Sequence, residues 1–314
     1  MSQLRAYDLR GATESAARAA YEGIGRGDLA AADRDAIAAM HQSLRQLGLA
    51  AMVLIGKGPK SETPVLYHGE RLGDSARPAH WDLVLDPMEG TSFLASGMTN
   101  AMACLAVAPP GTLFDPGPAF FMEKLVVPPA AKGKVDPTAP IKERLRDLGL
   151  ALNKPIDQLV IFVLEKPRHR DLVVRIQTAG ARVSQYPAGD VAGSLMASIP
   201  QSGIDAMMGT GGSPEGLLAA IAVKNMGGDF FCRLDPLLAM ERKAVADAGM
   251  DTESWLGLDR LVRTDQALFC ATGITSGLLL DGIRPESGGF KVQSMLVGGE
   301  AQPRQILNSW FAKG

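Results

Sequence analysis

The chain alternates short apolar runs with helix-prone segments, and the two patterns predict strands and helices. Buried strands are expected at residues 52–55, 83–85, 101–108, 120–127, 159–164, 182–186, 204–208 and 267–271. Ala-rich or amphipathic stretches predict helices at residues 9–23, 32–46 and 141–152, one that ends near residue 179, and one that begins near Pro214. The chain is expected to end in an antiparallel strand set and a polar tail.

The run at 83–85 stops at Asp86-Pro87-Met88-Glu89-Gly90-Thr91-Ser92, which is the most informative stretch of the chain. Proline removes a backbone donor and glycine permits a tight turn, so the strand is expected to end at Asp86. Asp86 and Glu89 would then lie close to the hydroxyl of Thr91. Hard cations such as Mg²⁺ and Mn²⁺ take oxygen ligands of this kind. The alternative is an acid-rich surface turn without a function.

Three further places combine polar side chains with the end of a predicted element. Asp33 stands at the start of the helix at 32–46, where it could simply be the N-cap. Lys166 and Arg168 follow the strand at 159–164, and such cations favour phosphate binding over an ordinary basic helix start. The glycines at 209–212 precede Pro214 and Glu215, and we expect their backbone N–H groups to be free for an anion.

Composition narrows the class of protein. The 314 residues are 46% hydrophobic, enough for one large domain or two halves, and 35 glycines and 20 prolines suit an α/β enzyme. A formal charge of −2 with scattered basic residues argues against nucleic-acid binding. Cys104, Cys232 and Cys270 lie in separate apolar runs and are expected to be reduced core residues. Residues 1–21 lack an apolar signal region and no long apolar stretch occurs, so we expect neither secretion nor membrane insertion.

Several segments resemble the lithium-sensitive sugar and inositol phosphatase superfamily, and among its members the class II fructose-1,6-bisphosphatases of bacteria. Residues 86–91 resemble the signature D-P-[ILM]-[DE]-G-T, and the resemblance extends from about residue 13 to residue 282. The other matching segments are Gly25 to Asp33 (G-R-G-D-x-x-x-A-D), Leu66 to Glu70 (L-Y-x-G-E), Lys166 to His169 (K-P-R-H), Pro187 to Ala192 (P-D-G-D-V-A) and Gly211 to Gly216 (G-G-x-P-E-G).

The resemblance implies a layered αβαβα fold of two α/β halves around a cleft, with a metal-site half at 1–139 and a sugar- and phosphate-binding half at 140–314. It implies that Mg²⁺ or Mn²⁺ is bound by Asp33, Asp86, Glu89 and Glu215, and that Thr91 and Glu89 are catalytic residues. Lys57, at a position where the family has another residue, is the third catalytic residue expected here, as a charge that neutralises the phosphoryl oxygens. The substrate-binding residues that it implies are Gly90, Ser92, Phe121, Lys166, Arg168, Gly189, Asp190 and Gly212.

Departures from the family pattern collect at the expected site. Lys57 stands where the family has a metal-binding Glu, and Pro59 replaces a second acid. Phe121 replaces a substrate-contacting Tyr, and Ala188 replaces an Asp. A protonated lysine cannot bind a cation and repels one. Lys57 could therefore stand in for a metal and hold substrate phosphate, could disable the metal site, or could be a solvated loop lysine that points outward.

The expected reaction is metal-dependent hydrolysis of fructose 1,6-bisphosphate to fructose 6-phosphate and phosphate, or of a related sugar bisphosphate, in carbohydrate metabolism and gluconeogenesis. One alternative is a catalytically impaired relative that binds a phosphorylated ligand or regulates a partner. Another is a different reaction on a phosphorylated small molecule. We further expect a cytoplasmic homo-oligomer, a dimer or a tetramer, whose partner is a small sugar phosphate rather than a nucleic acid or a membrane.

Overall fold

A computed structural model describes residues 4–58, 60–73, 78–298 and 304–312, apart from the side chain of Ser92. The chain forms two compact units, and the first is assembled from both ends of the chain. Unit 1 comprises Met1–Leu113 and Thr264–Gly314, and unit 2 comprises Phe114–Arg263. These bounds differ from the halves predicted at 1–139 and 140–314, because the C-terminal strands pair with strands of unit 1. The functional division into a metal-site half and a sugar-binding half stays a prediction.

The described residues contain nine α-helices and thirteen strands, numbered here in chain order. The helices are α1 (Ala6–Tyr21), α2 (Leu29–Leu47), α3 (Thr91–Ala95), α4 (Ile141–Leu152), α5 (Arg170–Thr178), α6 (Asp190–Ser198), α7 (Ser213–Asn225), α8 (Ala239–Asp247) and α9 (Leu258–Leu261). The strands are β1 (Ala51–Ile55), β2 (Arg71–Leu72), β3 (Trp81–Glu89), β4 (Met102–Ala108), β5 (Phe121–Val127), β6 (Val160–Leu164), β7 (Arg182–Tyr186), β8 (Ala206–Gly212), β9 (Asp229–Leu234), β10 (Leu268–Gly273), β11 (Arg284–Glu286), β12 (Gly289–Val297) and β13 (Arg304–Ala312).

Unit 1 is built on an eight-stranded sheet in the order β11-β12-β10-β4-β3-β1-β2, with β13 paired to β12. Only the β1–β3 pair is parallel among the described strands of this sheet. Helices α1 and α2 pack their apolar faces on the sheet through side chains such as Leu9, Met40 and Leu44. This burial fixes both helices beside the strands that carry the predicted site.

Unit 2 is built on a five-stranded sheet in the order β7-β6-β8-β5-β9. Strands β6, β7 and β8 are parallel, whereas β5 runs antiparallel to β8 and β9. Helices α4 and α5 contribute Leu145, Leu148 and Ile176 to a core that also contains side chains of β6. The two sheets with their helices confirm the predicted α/β class.

Two local predictions differ from the structure. The strand at 83–85 does not end at Asp86 but continues through Pro87 to Glu89 as part of β3. Its pairing with β4 shifts between Asp86 and Glu89, and this irregularity is where a residue without an N–H is tolerated. The glycines at 209–212 lie inside β8 beside β5 rather than in a loop before α7. Because they pair along β5, they do not form the predicted loop of free N–H groups.

The three cysteines are buried and free, as predicted for reduced core residues. Within the described residues, no helix is both long enough and apolar enough to cross a membrane. Pro214 lies in the first turn of α7, where its fixed backbone angle suits the start of a helix.

Candidate active site

The irregular end of β3 presents the acidic side chains of unit 1. Asp86 is opposite Cys104 and Glu89 is opposite Met102, so three residue steps on β3 face two on β4. This bulge places two carboxylates at one strand end, and both residues are buried. The Met88 N–H donates to Asp86 Oδ1 at 3.1 Å, which fixes the orientation of that carboxylate.

The turn after β3 supplies a glycine and a hydroxyl. Gly90 has φ +85°, a left-handed conformation that favours glycine, and it precedes Thr91 at the first position of α3. Thr91 Oγ1 donates to the Met88 carbonyl oxygen at 2.8 Å. Because its proton is committed to the backbone, the hydroxyl oxygen is oriented to accept a hydrogen bond. The predicted contact of the Ser92 side chain lies outside the described part of the chain.

Lys57 points inward and forms ion pairs with two acids. Its Nζ lies 2.9 Å from Asp33 Oδ1 and 3.1 Å from Asp86 Oδ1, and only 18% of its side chain is exposed. This geometry contradicts the solvated loop lysine. Asp33 is not the N-cap of α2 either, since Asp28 Oδ1 accepts from the Ala31 N–H at 2.9 Å.

The charges around Lys57 determine its protonation. Burial by itself would lower the pKa of Lys57, but the charges and hydrogen bonds of Asp86 and Asp33 outweigh burial and raise that pKa above its ordinary value. The side chain is therefore an ammonium throughout the neutral pH range. Two carboxylates and one ammonium leave a single net negative charge at this point of unit 1.

A divalent cation does not fit between Asp33 and Asp86 while the ammonium lies there. Two unit charges 4 Å apart interact by roughly 4 kcal/mol at an effective dielectric constant of about 20, and a divalent ion doubles this repulsion. No group of three or more His, Cys, Asp or Glu residues that could hold a metal ion occurs in the described residues. The role of Glu89 and Glu215 as metal ligands stays a prediction.

In unit 2, Arg168 is positioned beside the residue that replaces the expected tyrosine. Its Nε and Nη2 donate to the Thr210 carbonyl oxygen at 3.1 and 2.9 Å. The guanidinium carbon lies 5.4 Å from the centre of the Phe121 ring, within the range of a cation–π contact. Lys166 precedes Arg168 at the start of the turn Pro167–His169 and is half-buried. The two cations lie at the carboxyl end of β6, as the sequence predicts.

Asp190 forms a buried ion pair that the sequence analysis missed. Lys124 Nζ lies 2.6 Å from Asp190 Oδ2 and donates to the Gly212 carbonyl oxygen at 2.7 Å. Gly189 has φ +98° and lets the chain turn into α6, whose first residue is Asp190. The sequence contained an indication of this pair, because Lys124 lies two residues from Met122 and from Val126 on β5 and so shares their buried face of the strand. A lysine at such a position requires an acidic partner.

The glycines of the segment 211–216 make room for charged side chains. A Cβ atom on Gly211 would lie 1.9 Å from Asp190 Oδ2, and one on Gly212 would lie 1.9 Å from Glu215 Oε2. A Cβ atom on Gly216 would lie 2.9 Å from Lys124 Cε. Each of these three glycines therefore allows a charged side chain to approach the backbone, and this is the physical reason why glycine occupies positions 211, 212 and 216.

His169 fixes the backbone beside Arg168. It donates from Nδ1 to the Leu164 carbonyl oxygen at 2.7 Å and accepts the Thr210 N–H at Nε2 at 2.8 Å. Burial lowers the pKa of His169, so the neutral ring is favoured and both hydrogen bonds are kept at neutral pH. The histidine thereby connects the end of β6 to the carbonyl group that holds Arg168.

The structure thus gathers the predicted residues into two sets, each within one unit. Unit 1 carries Asp33, Lys57, Asp86, Glu89, Gly90 and Thr91, and unit 2 carries Phe121, Lys166, Arg168, Gly189, Asp190, Gly212 and Glu215. The first set offers buried carboxylates, an oriented hydroxyl and a fixed cation. The second offers two cations and an oriented carboxylate, the groups that bind phosphate and sugar hydroxyls.

Comparison with known proteins shows which family the chain belongs to. Residues 3–311 match the family described as "Bacterial fructose-1,6-bisphosphatase, glpX-encoded". The chain belongs to this family. It is also 36% identical over 310 residues to fructose-1,6-bisphosphatase 1 class 2 of Escherichia coli K12, which covers 95% of this chain and 92% of that protein. The same identity and coverage hold for fructose-1,6-bisphosphatases class 2 of Escherichia coli O6:H1 and Shigella flexneri.

Membership of the glpX-encoded bisphosphatase family agrees with the resemblance found in the sequence. Phosphatases of this family depend on a metal ion. Lys57 forms ion pairs with Asp33 and Asp86, which are two of the four predicted metal ligands. These ion pairs are the main departure of this chain from the metal site that the family pattern implies.

Proposed function

We propose that this protein hydrolyses fructose 1,6-bisphosphate at its 1-phosphate and releases fructose 6-phosphate and inorganic phosphate. The observation that carries the proposal is the family match over residues 3–311. Proteins named fructose-1,6-bisphosphatase class 2 match 95% of the chain. The geometry of the two residue sets supports the same reaction.

In the proposed mechanism the residues of unit 1 handle the attacking water. Thr91 Oγ1 donates to the Met88 carbonyl oxygen, so it accepts a hydrogen bond from the water and orients it toward phosphorus. The buried carboxylate of Glu89 takes up a proton from that water as the new P–O bond forms and the bond between phosphorus and the sugar 1-oxygen breaks. The leaving sugar oxygen takes a proton from solvent water and departs as the 1-hydroxyl of fructose 6-phosphate. The Lys57 ammonium contributes positive charge, which favours a reaction that concentrates charge on phosphoryl oxygens. Gly90 and Ser92 would approach the same phosphate.

The residues of unit 2 are the ones proposed to bind phosphate and sugar hydroxyls. Arg168, held by Thr210 and in cation–π contact with Phe121, binds the distal phosphate together with the neighbouring Lys166. Asp190 is oriented by Lys124 and accepts hydrogen bonds from sugar hydroxyls. Gly189, which precedes Asp190, and Gly212, whose carbonyl oxygen accepts from Lys124, are the neighbouring predicted contacts. Phe121 contributes a ring face where a tyrosine would add a hydroxyl.

The finer features of the proposal concern metal, location and assembly. Mg²⁺ or Mn²⁺ is the expected ion, and Glu89 and Glu215 are the predicted ligands that Lys57 does not occupy. When bound, such an ion polarises phosphoryl oxygens and activates water. We further propose that the protein acts in the cytoplasm, in gluconeogenesis, as a homo-oligomer.

The test is phosphate release from fructose 1,6-bisphosphate in the presence of Mg²⁺ or Mn²⁺. Wild type should release one phosphate per sugar, and Thr91→Val should reduce kcat by a factor on the order of 10² or more. Thr138→Val is the matched control, because the Thr138 hydroxyl bonds only to Asp136 in an exposed turn among the described contacts. Turnover that is unchanged in Thr91→Val would contradict the proposed role of Thr91.

A second candidate function has one observation in its favour. The Asp33–Lys57–Asp86 ion pairs occupy carboxylates that a metal-dependent phosphatase would use, as expected of an impaired relative that only binds its ligand. Titration calorimetry with fructose 1,6-bisphosphate distinguishes the two functions. Tight binding of fructose 1,6-bisphosphate without phosphate release at any Mg²⁺ or Mn²⁺ concentration would support the ligand-binding function. The same result would contradict the proposed phosphatase activity.

A further inference from the structure

The Asp33–Lys57–Asp86 cluster resembles a cation site in its construction. One acid comes from the first half of α2 and the other from the end of β3, and both direct an oxygen at the same point. The Lys57 nitrogen lies at that point, 2.9 and 3.1 Å from the two oxygens. Convergent carboxylate oxygens from separate elements are the donor set that hard divalent cations use. Here the protein supplies the cation itself.

The backbone around Lys57 is held so that the side chain reaches this point. The Lys57 N–H donates to the Leu66 carbonyl oxygen at 3.0 Å, and Thr63 Oγ1 donates to the Lys57 carbonyl oxygen at 3.1 Å. At the preceding Gly56 an added Cβ atom would lie 2.0 Å from the Leu66 carbonyl oxygen, so the two segments touch. The lysine therefore starts from a fixed position rather than from a loose loop.

Charge gives the lysine a role that a surface ion pair lacks. Without an ammonium, Asp33 and Asp86 would hold two negative charges close together in a partly buried place. Such a pair needs a compensating cation. With the ammonium in place the need is met, and a second cation would be repelled at short range.

We propose that the Lys57 ammonium takes the place of one divalent metal ion between Asp33 and Asp86. The protein then binds one divalent ion fewer than a variant with a carboxylate at position 57. The inference deepens the proposed function and rests on it for the identity of the metal, but it concerns binding and not turnover.

The test counts bound Mn²⁺ per chain by electron paramagnetic resonance of the free ion, for wild type and Lys57→Glu. Lys57→Glu should bind one more Mn²⁺ than wild type, and Mn²⁺ should raise its Tm more than that of wild type. Lys154→Glu is the matched control, since Lys154 pairs with one acid, Asp205, at 2.6 Å within the described part of the chain. This control should gain no ion. Equal Mn²⁺ stoichiometry and affinity in wild type and Lys57→Glu would overturn the proposal.

A second variant keeps the test independent of whether Lys57→Glu folds. Asp33→Asn in the wild-type background removes a ligand of the lysine and, in the proposal, no ligand of a metal. Mn²⁺ affinity should therefore remain within about twofold of wild type, whereas loss of a working metal ligand lowers affinity about tenfold or more. A tenfold loss would overturn the proposal. Both measurements are made without substrate, so a failure of phosphate release would contradict the proposed function alone.

Discussion

Replacement of Lys124 by methionine tests whether the buried ion pair with Asp190 organises unit 2. The Lys124 side chain is fully buried, and its Nζ contacts Asp190 Oδ2 at 2.6 Å and the Gly212 carbonyl oxygen at 2.7 Å. Lys124→Met keeps most of the side-chain volume but removes the ammonium. The Asp190 carboxylate would then be a buried charge without its main counterion.

The expected cost follows from the burial of both partners. Removing one member of a buried ion pair destabilises a protein by about 3–5 kcal/mol, because the remaining charge stays desolvated. For a unit of this size each kcal/mol lowers Tm by about 2–4 °C, so a Tm decrease on the order of 10 °C is expected. Asp190→Asn should cost a similar amount. The double variant should cost less than the sum of the single changes by about 2 kcal/mol or more, since neither charge is then left alone.

Thermal and urea unfolding of the four proteins measure this coupling. Both methods should give the same order of stability, with wild type highest and each single variant clearly lower. Effects of Lys124→Met and Asp190→Asn that simply add would refute the reasoning, because they would show that the two side chains stabilise the fold separately. A Tm decrease of less than about 3 °C for Lys124→Met would refute it as well.

Two further predictions concern the neighbouring segments. Gly212→Ala should reduce kcat for fructose 1,6-bisphosphate about tenfold or more, because the added Cβ atom would lie 1.9 Å from Glu215 Oε2 and displace that side chain. Gly257→Ala is the control, since its Cβ atom would meet nothing closer than 3.7 Å. An equal loss of kcat in both variants would contradict the prediction. Burial lowers the pKa of His169 below its value of 6.5 in the unfolded chain, so the unfolded state binds more protons and wild-type stability falls as pH decreases from about 7 to 5. Tm measured across that range should fall less steeply in His169→Gln, and an unchanged slope would argue against the neutral buried ring.

The sequence predicted the α/β class and the acid-rich stretch at Asp86, because apolar runs and a signature motif are local properties. It did not predict that β3 continues through Pro87, since the bulge depends on how β3 pairs with β4. The same limit applies to the glycines at 209–212, which lie in β8 because β5 pairs beside them. Turn-forming residues indicate irregular backbone, but only the partner strand decides between a loop and an irregular strand.

The direction of side chains is the second property that could not be predicted from the sequence. The sequence showed that Lys57 replaced an acid but left open whether it pointed inward, because that depends on Asp33 and Asp86 converging from α2 and β3. The Lys124–Asp190 pair joins residues 66 positions apart, so no local pattern connects them. Periodicity does place Lys124 on a buried face of β5, and that conflict between charge and burial could have indicated the pair.

The insertion of unit 2 within unit 1 has a consequence for synthesis on the ribosome. Strand β4 pairs with β3 on one side and with β10 on the other, and about 160 residues separate β4 from β10 in the chain. Because the ribosome adds roughly 5–20 residues per second, the edge of β4 stays unpaired for on the order of 10–30 s before β10 is synthesised. The segment 114–263, whose ends meet through a 2.9 Å hydrogen bond from the Phe114 N–H to the Leu261 carbonyl oxygen, can fold in this interval. The nascent chain therefore exposes an unpaired strand edge until β10 emerges.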